Sequence, residues 1–389
     1  MNGRASLPRL GTDCRQAFAA CLATLSLLAA LAPRAQADDT LDDWRREVAA
    51  TRRLAENSPP QAHEIAHRLH SFLPVDAPPA DRARILNLLA RLEIYLARPE
   101  EAAIHTEDAE KIAHSGGDKV GQAEANLNWA LIAINQGRLD TMATAAMSAL
   151  TLLEGVDRPD LLGEAMLRVA MLYRRRGQIE ASVTISMQAL DIAQRSGDPT
   201  FLTHALNGMA ISMDQSGRYA EAHAYYVRMV EQARLAGSKH QEAYALLGKS
   251  GVEARMGRHG EAETSAREAI HLFRTAANPF SVAHSLFSLA EIVRAQGRRE
   301  EALRILDEVI AIYERYPNKI GLWWALNTRS ADRLALGLAG PATDDAEQAY
   351  ALAKDIGAHV YLTATARQLA ALAAPKTRCW CRVKRMLAD

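Results

Sequence analysis

Six glycines, Gly137, Gly177, Gly217, Gly257, Gly297 and Gly337, follow one another at intervals of 40 residues. Seven residues before each stands a small side chain: Ala130, Ala170, Ala210, Ser250, Ala290 and Ser330. Five residues after most of them the chain is small again, at Ser182, Ala222, Ala262, Ala302 and Ala342, with Met142 the exception. The same register runs back through Ala90, Ala97 and Ala102 to Asn57 and Ala62, and forward to Ala370. A fixed period of this length marks an array of structural repeats.

Small residues on two helices let their backbones approach closely, and a glycine between them supplies the positive φ that ends the first helix. Each period therefore reads as helix, tight turn, helix. One such hairpin cannot bury its apolar face alone, but a stack of them can. The expected fold is all-α: a solenoid of about eight hairpins turning near residues 57, 97, 137, 177, 217, 257, 297 and 337, plus a final helix over about 358–374. Proline placement agrees. Of the 14 prolines, Pro59, Pro60, Pro99 and Pro341 follow turns within repeats, and seven more lie in or beside the loops between them. Proline is tolerated in a helix's first turn and costs about 3 kcal/mol inside one. Gly116-Gly117-Asp118, Gly197-Asp198, Gly237-Ser238 and Gly357 carry C-cap and N-cap chemistry between repeats.

Residues 1–37 have the layout of a secretory signal: Arg4, Arg9 and Arg15, an apolar run from Ala17 to Ala32, then Ala35-Gln36-Ala37. Cleavage is expected after Ala37, giving a periplasmic or secreted chain whose solenoid spans 38–374. Hydrophobic residues are 49% of the sequence but aromatics only 5%, so Ala and Leu must fill the core. Residues 38–374 hold 37 basic against 44 acidic residues, net −7, which argues against a nucleic-acid partner. No apolar run after the signal is long and uncharged enough to span a membrane. Residues 375–389 turn abruptly basic around Cys379-Trp380-Cys381. This tail reads either as a short cap over the last repeat or as the remnant of a reading-frame break.

The runs Ala290…Gly297-Arg298-Arg299-Glu300-Glu301-Ala302 and Ala210…Gly217-Arg218-Tyr219-Ala220-Glu221-Ala222, with Tyr173 and Tyr226 at aromatic slots, resemble the tetratricopeptide repeat family. The resemblance covers about residues 41–374, in a long-repeat variety. It implies a non-catalytic scaffold that receives a peptide, protein or small ligand on the first helix of each hairpin. A signal followed by such an array also resembles the extracytoplasmic sensor half of GGDEF-type diguanylate cyclases, which continue into a membrane helix and a cyclase domain.

His63-Glu64-Ile65-Ala66-His67 spells H-E-x-x-H, whose chemistry needs both histidines on zinc, the glutamate as general base and a third ligand from elsewhere. The repeat register makes Ala62, Ile65, Ala66 and Leu69 the inward stripe of that helix and sets both histidines toward its outer edge, a poor place to exclude water. Gly248-Lys249-Ser250 resembles the end of a phosphate-binding loop, but position 243 is alanine and no strand precedes it. No catalytic residue, metal ligand or cofactor is assigned. The candidate ligand-binding residues are instead those in register on the first helices: Arg84, His204, Tyr244, His284 and Trp324 six residues before the small slot, and Asn87, Asn207, Phe287 and Asn327 three before it, with Arg294 further along. Asn both donates and accepts, which suits an extended backbone, and aromatics add apolar contact at low entropy cost.

Overall fold

The computed structural model describes residues 40–372, apart from 56, 75, 97, 277 and 358. Those residues form seventeen α-helices and no strand. Helices α1 (40–54) and α2 (Pro59–Ser71) make the first hairpin, α3 (Pro79–Tyr95) and α4 (Pro99–Ser115) the second, α5 (Lys119–Asn135) and α6 (Leu139–Leu152) the third. The fourth is α7 (Pro159–Arg175) with α8 (Ile179–Ser196), and the fifth α9 (Pro199–Gln215) with α10 (Tyr219–Leu235). The sixth is α11 (Lys239–Arg255) with α12 (His259–Thr275), the seventh α13 (Pro279–Ala295) with α14 (Arg299–Arg315). The eighth is α15 (Lys319–Ala335) with α16 (Ala339–Ile356), and α17 (His359–Leu372) follows. The expected signal at 1–37, the tail at 375–389 and Ala97 lie outside the described residues. No helix among the described residues is long and apolar enough to cross a membrane.

The glycines of the period do what the register requires. Gly137, Gly177, Gly217, Gly257, Gly297 and Gly337 take φ between 70° and 83°. At the first of them Arg138 N–H donates to Ala133 O at 2.9 Å and Gly137 N–H to Ile134 O at 3.1 Å, the paired bonds of a Schellman turn. The helices that follow these glycines start without a side-chain cap, whereas the first helices of hairpins three and five to eight start on caps at Asp118, Asp198, Ser238, Asn278 and Asn318; Asp198, for instance, accepts from Thr200 N at 2.8 Å and Phe201 N at 3.2 Å.

The small slots are the contact points. Ala90, Ala130, Ala170, Ala210, Ser250, Ala290 and Ser330 are at most 1% exposed, and Ala102, Ser182, Ala222, Ala262, Ala302 and Ala342 are fully buried. Met142, the large residue in that row, is also fully buried. Ala370, the last member of the register, is exposed.

The chain divides into two compact units, up to residue 112 and from residue 113. In the first, Trp44, Val48, Ala66, Leu69, Ile85, Leu89 and Leu92 form the core, and Trp44 Nε1–H donates to Leu69 O at 2.9 Å. The second is held by a core that runs from Val183 on α8 to Ala353 on α16, with smaller clusters toward each of its ends. Helices of like kind touch directly, α7 with α9, α9 with α11, and α11 with α13.

One close approach in the second unit can be tested directly. A Cβ on Gly163 of α7 would fall inside the ring of Phe201, itself only 5% exposed on α9. Alanine in a helix gains about 1 kcal/mol over glycine, whereas overpacking a buried ring costs about 1–3 kcal/mol. Gly163→Ala is therefore expected to lower stability by up to about 2 kcal/mol in urea denaturation.

Candidate functional site

Positions four apart on a helix share a face, and the first helices of hairpins six to eight use this to present aromatic and apolar side chains to solvent. On α11 the pair is His240 and Tyr244, on α13 Phe280 and His284, on α15 Ile320 and Trp324. Tyr244 is 43% exposed, Phe280 43%, Ile320 46% and Trp324 48%, while each of the same helices buries its opposite stripe. His204 on α9 continues the row and hydrogen-bonds Gln241 of α11 through Nε2 at 3.1 Å.

These side chains are braced. The Tyr244 ring stands edge-on to His240 at 4.8 Å and to the fully buried Phe273 at 5.0 Å, and its hydroxyl shares a 3.1 Å hydrogen bond with Ser281 of α13. Phe280 meets Tyr316 at 6.4 Å, and Trp324 lies 5.0 Å from Trp323 and 6.4 Å from Tyr361 of α17. Burial lowers the imidazole pKa of His240 and of His284, so near neutral pH both offer a neutral ring with one donor and one acceptor. Rigid aromatics with polar neighbours make contact area without losing much side-chain freedom.

The other sequence candidates divide. Asn207, Phe287 and Asn327 are half-buried in the layer beneath; Phe287 packs on the core, and Asn327 Oδ1 is buried with no hydrogen-bond donor among the described residues. Arg294 is paired with Glu291 on its own helix. Arg84 and Asn87 belong to the first unit. Arg84 donates to Asp81 at 2.7 Å, a carboxylate it shares with Arg45. Asn87 is a correction: it is 2% exposed, turned into the helix packing, and presents nothing to a ligand. Phe280, Ile320 and Tyr316 were not among the expected residues; the i, i+4 relation to the residues that were is the signal that finds the first two.

The second helices carry a different face. Exposed ion pairs step from one to the next: Arg234–Glu268 at 2.8 Å, Arg267–Glu301 at 3.0 Å, Arg298–Glu263 at 2.7 Å and Arg274–Glu308 at 2.6 Å. Each such pair contributes about 0–1 kcal/mol, so this is a solvated surface.

Between helices the chain buries charge at one register. Four residues before the turn, Glu93 on α3 and Glu253 on α11 are both 0% exposed. Glu253 is fully served: Lys249 Nζ approaches Oε1 at 2.6 Å, His223 Nε2 lies 3.2 Å from it, and Ser265 Oγ donates to Oε2 at 2.8 Å. Gly248-Lys249-Ser250 thus belongs to packing: Gly248 makes room for the Tyr226 ring, and Lys249 and Ser250 point into the fold. Around Glu93 the groups are histidines. His105 Nδ1–H donates to Oε2 at 2.8 Å, which raises the His105 pKa. His63 Nε2 lies 3.6 Å from Oε1. His63 was expected at the outer edge of α2; it is instead 8% exposed, because α3 covers that edge, and only Glu64 and His67 face out.

The tetratricopeptide repeat family matches residues 161–234 and 241–315. No protein of curated function matches by sequence. Among solved structures, the apo quorum sensor NprR from B. thuringiensis is similar at TM-score 0.61 and 15% identity, over 90% of this chain and 98% of that one. A Rap protein complexed with Competence and Sporulation Factor gives 0.58 and 15%, over 90% and 97%. A signal-transduction ATPase from Pyrococcus horikoshii with a tetratricopeptide repeat sensor gives 0.60 and 15% over 80% of this chain, which spans 49% of its length. At these identities the likeness is one of fold. Residues 161–234 and 241–315 are thus tetratricopeptide repeats, and the remaining described hairpins are built on the same 40-residue plan.

Proposed function

We propose that the protein is a non-catalytic binding scaffold that holds a peptide or protein segment along the first helices of hairpins five to eight. The observation that carries this is the exposed row of Tyr244, Phe280, His284, Ile320 and Trp324, at one register on neighbouring helices, with the rings of Tyr244, Phe280 and Trp324 braced. Exposed apolar groups in a continuous patch mark interaction surfaces, whereas scattered ones do not. The pairing of rings with neutral imidazoles and amides suits an extended, largely uncharged segment. That a Rap protein of this fold is crystallised with Competence and Sporulation Factor supports the reading.

The test is selection of displayed peptides on purified protein. Peptides enriched on the wild type are expected to bind Tyr244→Ala/His284→Ala/Trp324→Ala at least a hundredfold more weakly while helicity by circular dichroism stays the same. Equal binding by that variant overturns the assignment of the surface. Export is part of the proposal and rests on the layout of residues 1–37; the N-terminus of the mature protein from a periplasmic extract is then Asp38. A sensor role coupled to a cyclase rests on the resemblance and on the basic turn of composition at 375–389. Its check is a read of the DNA past codon 389 for an apolar span and a GGDEF-type domain in any frame.

A further inference from the structure

Two buried carboxylates of this chain occupy the same place in their repeats, and only one of them has a lysine on its Oε1. Glu93 and Glu253 are four 40-residue periods apart, and so are His63 and His223, and His105 and Ser265. The two knots are thus the same constellation met twice. In the second, Lys249 sits on Oε1. The corresponding residue in the first is Leu89, fully buried, which can offer no charge. Glu93 Oε1 consequently has no hydrogen-bond donor among the described residues, although the side chain is 0% exposed. An unmet carboxylate oxygen in the interior costs several kcal/mol, so such an atom is found where something else serves it.

The groups that face this oxygen are two imidazole nitrogens one turn apart on α2. His63 Nε2 and His67 Nε2 lie 3.2 Å from each other, and these two atoms and a Glu93 carboxylate oxygen all lie within 4.8 Å of one another. Two nitrogens bound to one tetrahedral ion at about 2.0–2.1 Å stand about 3.3 Å apart, which is the separation observed. We propose that His63, His67 and Glu93 bind one divalent transition-metal ion of the zinc class. Imidazole and carboxylate donors suit such an ion, which would supply the positive charge that Lys249 supplies in the other knot. His105 holds the second carboxylate oxygen and fixes the orientation of the ligand, as groups behind metal ligands do. His67 is exposed, so the ion has a way in and a coordination position open to water.

The donors are the set the H-E-x-x-H spelling asks for, two histidines one turn apart and a third ligand from elsewhere in the chain. The carboxylate that converges is Glu93 from the next hairpin, while Glu64 is exposed and is not among the three converging groups. The ion therefore ties α2 to α3, and the role proposed for it is structural or sensory.

The experiment is calorimetric titration of untagged, chelator-stripped protein with Zn²⁺, paralleled by Co²⁺ absorption, which reports tetrahedral coordination. One ion per chain is expected, with a rise in Tm at saturation. His67→Ala, whose side chain is exposed, and Glu93→Gln are each expected to weaken binding at least tenfold. Glu64→Ala and the neighbouring His70→Ala are expected to bind as the wild type does. Absence of one-to-one binding overturns the proposal, and so does binding that survives His67→Ala or is lost in Glu64→Ala or His70→Ala. Circular dichroism of each variant at the titration temperature ensures that a lost site is not a lost fold.

Discussion

Replacement of Trp323 by alanine is expected to cost about 3–5 kcal/mol, and to spend that cost at one end of the second unit. The indole is 2% exposed on α15, its Nε1–H donates to Thr365 Oγ1 at 2.9 Å, and its ring lies 4.5 Å from Tyr361. Thr365 and Tyr361 both belong to α17, so this side chain fastens α17 to α15, while Leu369 and Leu372 pack it on Ala342 and Ala346 of α16. Removing it leaves a cavity and a buried hydroxyl without its donor. Because repeats are stabilised by their own cores and nearest neighbours, the loss should stay local. Hydrogen exchange is expected to show α15 and α17 losing protection while α9 and α11 keep theirs. Equal loss throughout would mean that the unit unfolds as one body.

Lys249→Met is expected to destabilise by about 3 kcal/mol, at the lower end for breaking a buried pair, since the Lys249 side chain is 22% exposed. The ammonium goes but the Glu253 carboxylate remains at 0% exposure, held only by His223 and Ser265. The double replacement Lys249→Met/Glu253→Leu removes both charges and should recover most of the loss, since a buried pair exchanged for apolar side chains is often close to neutral. A urea double-mutant cycle measures the difference. A single variant within 0.5 kcal/mol of wild type, about the scale of surface substitutions, would show that water already screens this knot.

The two knots also mark how far the sequence could be read. Helix ends and hairpin pairing follow from Gly137 and its successors because the positive φ and the small contact points are local requirements, repeated until chance is no explanation. Tyr244, His284 and Trp324 could be picked for the same reason: a period places them in register, and their size makes them costly to leave wet without use. Asn87 shares a register with Asn207 and Asn327 and yet is buried, since register fixes an angle around the helix but not what packs against it. Glu93 was out of reach altogether. Its meeting with His63 joins helices from different hairpins, and the depth of that contact depends on the side chains of both. Comparing residues four periods apart recovers it, but only once Glu253 is seen to be buried.

A solenoid of nearest-neighbour contacts has no built-in means of making distant hairpins act together; each can open at its own price, beginning at an end. The segment proposed for the row from His204 to Trp324 would change that. Such a segment, lying across four consecutive first helices, would give hairpins five to eight one shared opening event on top of their neighbour-to-neighbour packing. Occupancy would then be readable at α17, several helices away from where a segment first touches α9, as a change in how often that terminal helix comes loose.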